Sequence, residues 1–374
     1  MMKTKVLLPI LLLSIFATTT LANPSDAQPL KKVEEQLKVL AQDILNHDSL
    51  NYKIAQNKRF ASLLMQTLER PESYNYPFDS LKTISILKPA DNSFRIFTWY
   101  IVDKNYREQF GEQYHYYFGF VQRKYTNKKG KKEFIVIPLI ELQRIPKSVE
   151  NTILDNNNWL GALYYKPRNE DYLQTASVEW YAKPTSSTEK RKKIKTNLYI
   201  LMGWNGNDNT SNYKVIDVMS FDPDDPRRVI FGADIFYFDP MIPKFRALFK
   251  YSEYASFSLN SAYVKAGSSR KKMILFDHLA IPSKVPGLKD VYVLGPDGTY
   301  DALEFKPKAR TRRYRNKVQL QTRRGKGYFE FYRNVEPAER YNEKLTQARL
   351  EELKRREAEK LKEAGIDVPS IKQE

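Results

Sequence analysis

Eleven basic side chains fall between Lys306 and Arg333 against a single acid, Glu330. They are Lys306, Lys308, Arg310, Arg312, Arg313, Arg315, Lys317, Arg323, Arg324, Lys326 and Arg333, interleaved with Tyr314, Tyr328, Phe329, Phe331 and Tyr332. Guanidinium forks grip phosphate, sulfate or carboxylate through paired hydrogen bonds, and aromatic rings beside them stack on rings or cations. Gly325-Lys326-Gly327 supplies a turn. The segment therefore reads as a basic-aromatic binding hairpin. Its candidate contacts are Arg310, Arg312, Arg313, Arg315, Arg323, Arg324, Lys326, Tyr314 and Tyr328. The competing role is a solvated sheet edge whose charges block edge-to-edge pairing, but the charge density exceeds that need.

Other chemistries have less to stand on. The chain has no Cys, which removes disulfides, thiolate nucleophiles, iron–sulfur clusters and cysteine-ligated zinc. Only His47, His115 and His278 offer an imidazole. His278 follows Asp277 on a predicted strand, and adjacent strand residues point to opposite faces, so the two form no dyad. HExxH, GxSxG and P-loop patterns are all missing, and no cofactor or metal is assigned. A carboxylate-pair hydrolase needs no histidine, and Glu141, Asp155, Glu179 and Asp217 lie near predicted strands, without a spacing that picks out a pair. Trp204-Asn205-Gly206-Asn207-Asp208-Asn209 lacks the spaced carboxylates of a calcium loop, and Asn-Gly is first a turn signal. Phe221-Asp222-Pro223-Asp224-Asp225-Pro226-Arg227-Arg228 reads as a proline-pinned turn, and Lys190 to Lys195 as an exposed loop tip.

The N-terminus carries an address. Lys3 and Lys5 precede the apolar run Val6 to Ala17, and Thr20 and Ala22 are small residues placed for cleavage before Asn23. That is the three-part pattern of a secretory signal peptide, and the run falls short of the roughly 20 apolar residues a spanning helix needs. The chain of 374 residues has 62 Lys+Arg against 44 Asp+Glu, a net charge of +18. Cleavage takes away Lys3 and Lys5, leaving +16. For an exported protein this surplus points to acidic envelope partners, whether protein, glycan or lipid headgroup, and away from nucleic acid.

The elements that must position these residues emerge from periodicity. Leu30, Val33, Leu37, Leu40 and Ile44 recur at helical spacing, and a second helix runs from about Tyr52 to Glu69 until Pro71 stops it. The two predict a helical hairpin packed on the next part of the chain. Beyond Pro77 short alternating segments predict strands at 83–87, 93–99, 114–122, 133–139, 159–165, 176–181, 197–203, 214–221 and 229–231. The series continues at 247–250, 255–260, 272–277, 291–294, 301–305, 318–322 and 328–332. From Pro337 to Ala364 charges alternate in sign around a thin stripe of Tyr341, Leu345, Ala348, Leu353 and Leu361, which predicts a charged helical arm roughly 40 Å long.

Four blocks carry a family resemblance. They are Tyr76-Pro77-Phe78-Asp79-Ser80-Leu81 leading into Phe94 to Trp99; Gly203-Trp204-Asn205-Gly206-Asn207-Asp208 leading into Lys214 to Val218; Met273 to Leu279; and Gly295-Pro296-Asp297-Gly298-Thr299-Tyr300-Asp301-Ala302. Over roughly Pro71 to Phe305 the chain resembles an uncharacterised family of exported proteins of Bacteroidetes-type bacteria. The resemblance implies an envelope location and brings no activity.

The expected fold is mainly β: an antiparallel all-β body (sandwich, barrel or propeller-like) with an N-terminal helical hairpin and a long C-terminal charged helix. The expected organisation is signal peptide 1–22, helical hairpin 23–76, β body 77–335 including the basic-aromatic hairpin 306–333, and charged arm and tail 336–374. The expected function is a non-catalytic binding or assembly component, exported to the periplasm or associated with the outer membrane and not transmembrane after cleavage. The alternative is an envelope polysaccharide hydrolase using a carboxylate pair.

Overall fold

In the computed structural model, placement is described for residues 29–103, 114–127, 129–142, 146, 148–165, 176–181, 193–208, 210–239, 242–266, 268–284, 292–306 and 327–338. The predicted signal peptide lies outside them. Helices α1 (Leu30–Asn46) and α2 (Leu50–Glu69) form the N-terminal hairpin. Val33, Leu37, Ala41 and Ile44 bury one face of α1, as their three- and four-residue spacing requires. Ser49 caps α2 by accepting from the Tyr52 N–H, and Pro71 opens a 3-10 turn just beyond Glu69.

The hairpin covers a four-stranded antiparallel sheet in the order β1 (Ser85–Leu87), β2 (Phe94–Asp103), β3 (Tyr114–Thr126), β4 (Lys132–Ile140). Strand alternation divides its side chains between two cores. Phe97, Trp99, Ile101, Phe120 and Val136 pack under the helices, together with Phe60, Leu64 and Leu68. Phe94, Ile96, Val121, Ile135 and Ile137 face the other way, into a second core.

That second core is closed by a middle sheet: β5 (Leu154–Asp155), β6 (Leu163–Tyr165), β7 (Ala176–Tyr181), β8 (Lys193–Asn205), β9 (Ser211–Phe221), β10 (Val229–Phe231) and, out of chain order, β12 (Ala247–Ser252). Between β10 and β12 the chain places β11 (Phe236–Tyr237) in a third sheet, which continues with β13 (Leu259–Ala266), β14 (Ser269–Lys284), β15 (Tyr292–Lys306) and β16 (Tyr328–Tyr332). Tyr199, Leu201, Val215 and Met219 of the middle sheet face the first sheet. Leu198, Ile200, Met202, Ile216 and Val218 face the third, meeting Leu259, Ile274, Phe276, Leu303 and Phe329. Burial on both faces is why β8 and β9 carry nearly continuous apolar runs. The result is a stack of four layers, one helical and three of open sheet, and none of the sheets closes into a barrel.

Several expectations need correction. The strands expected at 291–294 and 301–305 fall on one strand, β15, which runs from Tyr292 to Lys306. The register slips between Asp277/Leu279 and Leu279/Ile281: Gly295 and Pro296 pair with Ile281 and Leu279, and Asp297-Gly298-Thr299 bulges opposite His278 within a continuous ladder. Lys193 to Lys195 are no loop tip: they pair with Tyr181 to Glu179 in the ladder between β8 and β7. The strand expected at 255–260 begins only at Leu259, because Ala255 closes a turn onto the Ser252 carbonyl. Pro337 does not open a helix. It bridges Val264, while Lys265 N–H donates to the Glu336 carbonyl and Ala338 N–H to the Tyr263 carbonyl. The open edge of β13 captures this stretch, an edge being a place where proline's missing N–H does no harm. The rest of the predicted helical arm, and the strand expected at 318–322, lie outside the described residues. No helix among those described is long and apolar enough to cross a membrane.

Candidate binding interface

Of the nine candidate contacts, Tyr328 is described; Arg310, Arg312, Arg313, Arg315, Arg323, Arg324, Lys326 and Tyr314 lie outside the described residues. The root of their segment is well defined. Lys306 ends β15 and pairs with Tyr328, which starts β16, so the chain leaves and re-enters the third sheet at one point. β16 pairs antiparallel with β15 on one side and in parallel with β11 on the other, and the strand expected at 318–322 lies outside the described residues.

The outer face at this root is polar and aromatic. Glu304 and Glu330 are direct cross-strand partners, an arrangement in which like charges repel. Lys306 stands between them, bonded to Glu304 at 2.5 Å and 3.8 Å from Glu330, and Lys271 reaches Glu304 at 3.0 Å. Tyr332 donates to Glu330 at 2.9 Å, with the Lys306 ammonium 5.5 Å over its ring. Burial alone raises the Glu304 pKa, but hydrogen bonds from Lys306, Lys271 and Tyr332 outweigh it and hold the carboxyl below its ordinary value. Burial likewise opposes the charge on Lys306, and Glu304 and Tyr332 more than restore it. Tyr237 meets Tyr328 edge-on with ring centroids 5.5 Å apart. Gly327 lies against Phe305 so closely that a β-carbon would run into its ring.

The histidines are placed elsewhere. His47 accepts from the Ser49 N–H and stacks on Tyr52. His115 is buried at the end of the first two sheets, 5.2 Å from Trp204 and 5.5 Å from Tyr100 between ring centroids. Asp277 accepts from the Ser258 N–H. His278 instead meets Asp297, with Nδ1 and Oδ2 2.9 Å apart across the bulge. The His278 bond, followed by those from Thr299, draws the Asp297 pKa down to about 2. Sequence spacing conceals this pair, because only the slipped register brings residues 19 apart together.

Three of the four carboxylates considered for hydrolysis are engaged separately, and the fourth, Glu179, is placed by its backbone register alone. Asp217 is fully buried against Arg246 at 3.2 Å and accepts from Tyr164, which in turn accepts from Trp159. Arg246 also donates to the Val149, Thr152 and Phe231 carbonyls, tying a loop of the middle sheet to its core. Asp155 pairs with Arg228, Glu141 accepts from the Tyr117 N–H, and Glu179 lies opposite Lys195 on β7. Asp208 accepts from both the N–H and the hydroxyl of Thr210 and of Ser211, which makes its loop a self-satisfied turn. Asp222 plays the same part for the Asp224 and Asp225 N–H groups. No group of three or more His, Asp or Glu among the described residues could hold a metal ion. Compared with protein-family models, with curated proteins and with solved structures, the chain matches none.

Proposed function

We propose that the protein is a non-catalytic, exported component of the bacterial envelope that binds or assembles with an acidic partner through the segment 306–333. The observation that carries this reading is the root. Lys306 and Tyr328 are paired, and the residues between them carry Lys308, Arg310, Arg312, Arg313, Arg315, Lys317, Arg323, Arg324 and Lys326 with no acid. A concentrated positive charge held at one fixed point of a rigid sheet attracts anionic partners over a Debye length and grips them through Arg forks. The N-terminal export pattern and the resemblance to exported Bacteroidetes-type proteins support the envelope location.

The test is affinity capture from envelope extract with the chain and with an Arg312→Gln, Arg313→Gln, Arg323→Gln, Arg324→Gln variant, at low and moderate salt. Capture of an acidic partner should weaken with salt and fall at least tenfold in the variant, each charge-assisted bond contributing about 1.5–3 kcal/mol. Equal capture by both chains overturns the proposal.

A further inference from the structure

We propose that the tip of the β3–β4 hairpin is a second, independent docking point, made for the anionic headgroup surface of a lipid bilayer. The hairpin belongs to the first sheet, separated by the whole middle sheet from the Lys306–Tyr328 root.

Its sequence from Lys124 to Glu133 holds a cluster of lysines and one acid. Lys124, Lys129, Lys131 and Lys132 are all exposed. Lys124 and Lys132 lie at alternate positions from Tyr125 and Glu133, so they project on the face carrying Phe120 and Val136. Lys88 adds a charge on this side, 6.0 Å over the ring of Tyr74, which packs on Phe134 with centroids 5.1 Å apart. Glu133, the acid of the hairpin, is occupied by the Tyr125 hydroxyl and the Asn127 amide, both at 2.5 Å.

The tip is rigid before it meets anything. Asn127 Oδ1 accepts from the Lys129 and Lys131 N–H groups at 2.9 and 3.0 Å. The Asn127 N–H donates to the Lys131 carbonyl and the Gly130 N–H to the Asn127 carbonyl, with Gly130 at φ +77. A turn bonded in this way fixes the backbone that carries the lysines, which spares the ordering of a loop on binding.

Shape and residue type identify the partner. Small ligands are bound in concave sites, and this is a convex tip. Planar phosphate or base recognition uses Arg forks and open ring faces, whereas this tip offers compact, hydrated ammonium groups, and its nearby rings are packed on each other. Point charges spread over a convex end complement a flat, mobile, negatively charged surface. Near such a surface each lysine strengthens binding about fivefold.

Vesicle sedimentation tests this with the full chain, comparing phosphatidylcholine vesicles with the same vesicles containing phosphatidylglycerol. The gain from the anionic lipid should fall by several hundredfold in a Lys124→Gln, Lys129→Gln, Lys131→Gln, Lys132→Gln variant, as four losses of about fivefold require. It should persist in the matching Lys→Arg variant. An unchanged gain in the Gln variant, or a loss in the Arg variant, overturns the proposal. So does binding to soluble dextran sulfate that is as tight as to vesicles and equally lost in the Gln variant, since that would make the tip a general polyanion site. The Arg312→Gln, Arg313→Gln, Arg323→Gln, Arg324→Gln variant keeps the two sites apart. Loss of vesicle binding there alone assigns lipid to the 306–333 segment and overturns the tip, while loss in the lysine variant with envelope capture intact supports it.

Discussion

His115 couples the protein's stability to pH through burial alone. It sits under Trp204 and Tyr100, and Gly206 approaches so closely that a β-carbon there would overlap the imidazole. Burial pushes its pKa down to about 4, against which a hydrogen bond with the Gly206 backbone is the smaller, opposing effect. The unfolded chain takes up this proton near pH 6.5, the folded chain only near 4. Between those values the unfolded state binds more protons, so acidification favours unfolding; the contribution is complete above about 6.5 and lost by about 4, to the extent of roughly 3 kcal/mol. Glu34, Asp208, Asp297 and Glu304 are also held low, but carboxylates yield their share only as the pH falls through and below their ordinary range. Urea unfolding from pH 7 to 4.5 should therefore lose stability in the natural chain and much less in His115→Gln. Parallel pH slopes for the two chains would remove His115 from this role. The sequence offered His115 and Asp217 as candidate groups but not the burial of the one or the pairing of the other with Arg246, since each is defined by partners far away in the chain. Arg246 reads in sequence as one more of many basic residues, yet it is fully buried and bonded to three carbonyls.

At the scale of elements, Gly327 decides how β16 joins β15. The Phe305 ring occupies the space a side chain would need, and the Lys306 carbonyl lies only 3.2 Å from the position of a β-carbon. Gly327→Ala must push the ring aside, at about 1–3 kcal/mol as for other overpacked positions. Gly298 supplies a comparison: its φ is +87 with open space around it, so Gly298→Ala costs only the left-handed backbone strain of about 1 kcal/mol. Thermal unfolding should place Gly327→Ala below Gly298→Ala, and the reverse order would mean that Phe305 yields freely. The same elements mark how far sequence reading reached. Apolar patterning located β2, β3, β4, β9 and β14 because each packs at least one face into a core. It split β15, because Gly-Pro-Asp-Gly has the composition of a turn, and only pairing across the ladder reveals a bulge. It likewise gave Pro337 to a helix, since propensity carries no information about a free edge of β13 lying nearby. The proposed binding segment was legible as charge and rings, and its two ends are placed by Lys306, Gly327 and Tyr328.

For the molecule as a whole, layering makes the helical hairpin a structural necessity rather than an appendage. The first sheet has apolar residues on both faces, and the middle sheet covers only one of them. Phe97, Trp99, Ile101, Phe120 and Val136 depend on α1 and α2 for cover, and the Trp99 indole donates to Asn57 on α2 at 2.7 Å. At about 1.5–3 kcal/mol for each large apolar side chain, uncovering these five costs on the order of 10 kcal/mol, as much as the entire stability of a typical domain. Arg95 adds a polar clasp: it is buried, donates to the Ser73 and Tyr76 carbonyls, and so ties the turn after α2 to β2. A chain deleted for 30–69 should therefore bind a hydrophobic dye, associate in solution and lose cooperative unfolding, as read by dye fluorescence, light scattering and a urea titration. If that chain stayed monomeric and unfolded at the natural midpoint, the sheets would carry the fold alone and the helices would be free to serve a partner. The physics of a two-faced apolar sheet argues for the first result, because Phe97, Trp99 and Phe120 are large buried side chains and deleting the helices removes the cover that the described residues give them.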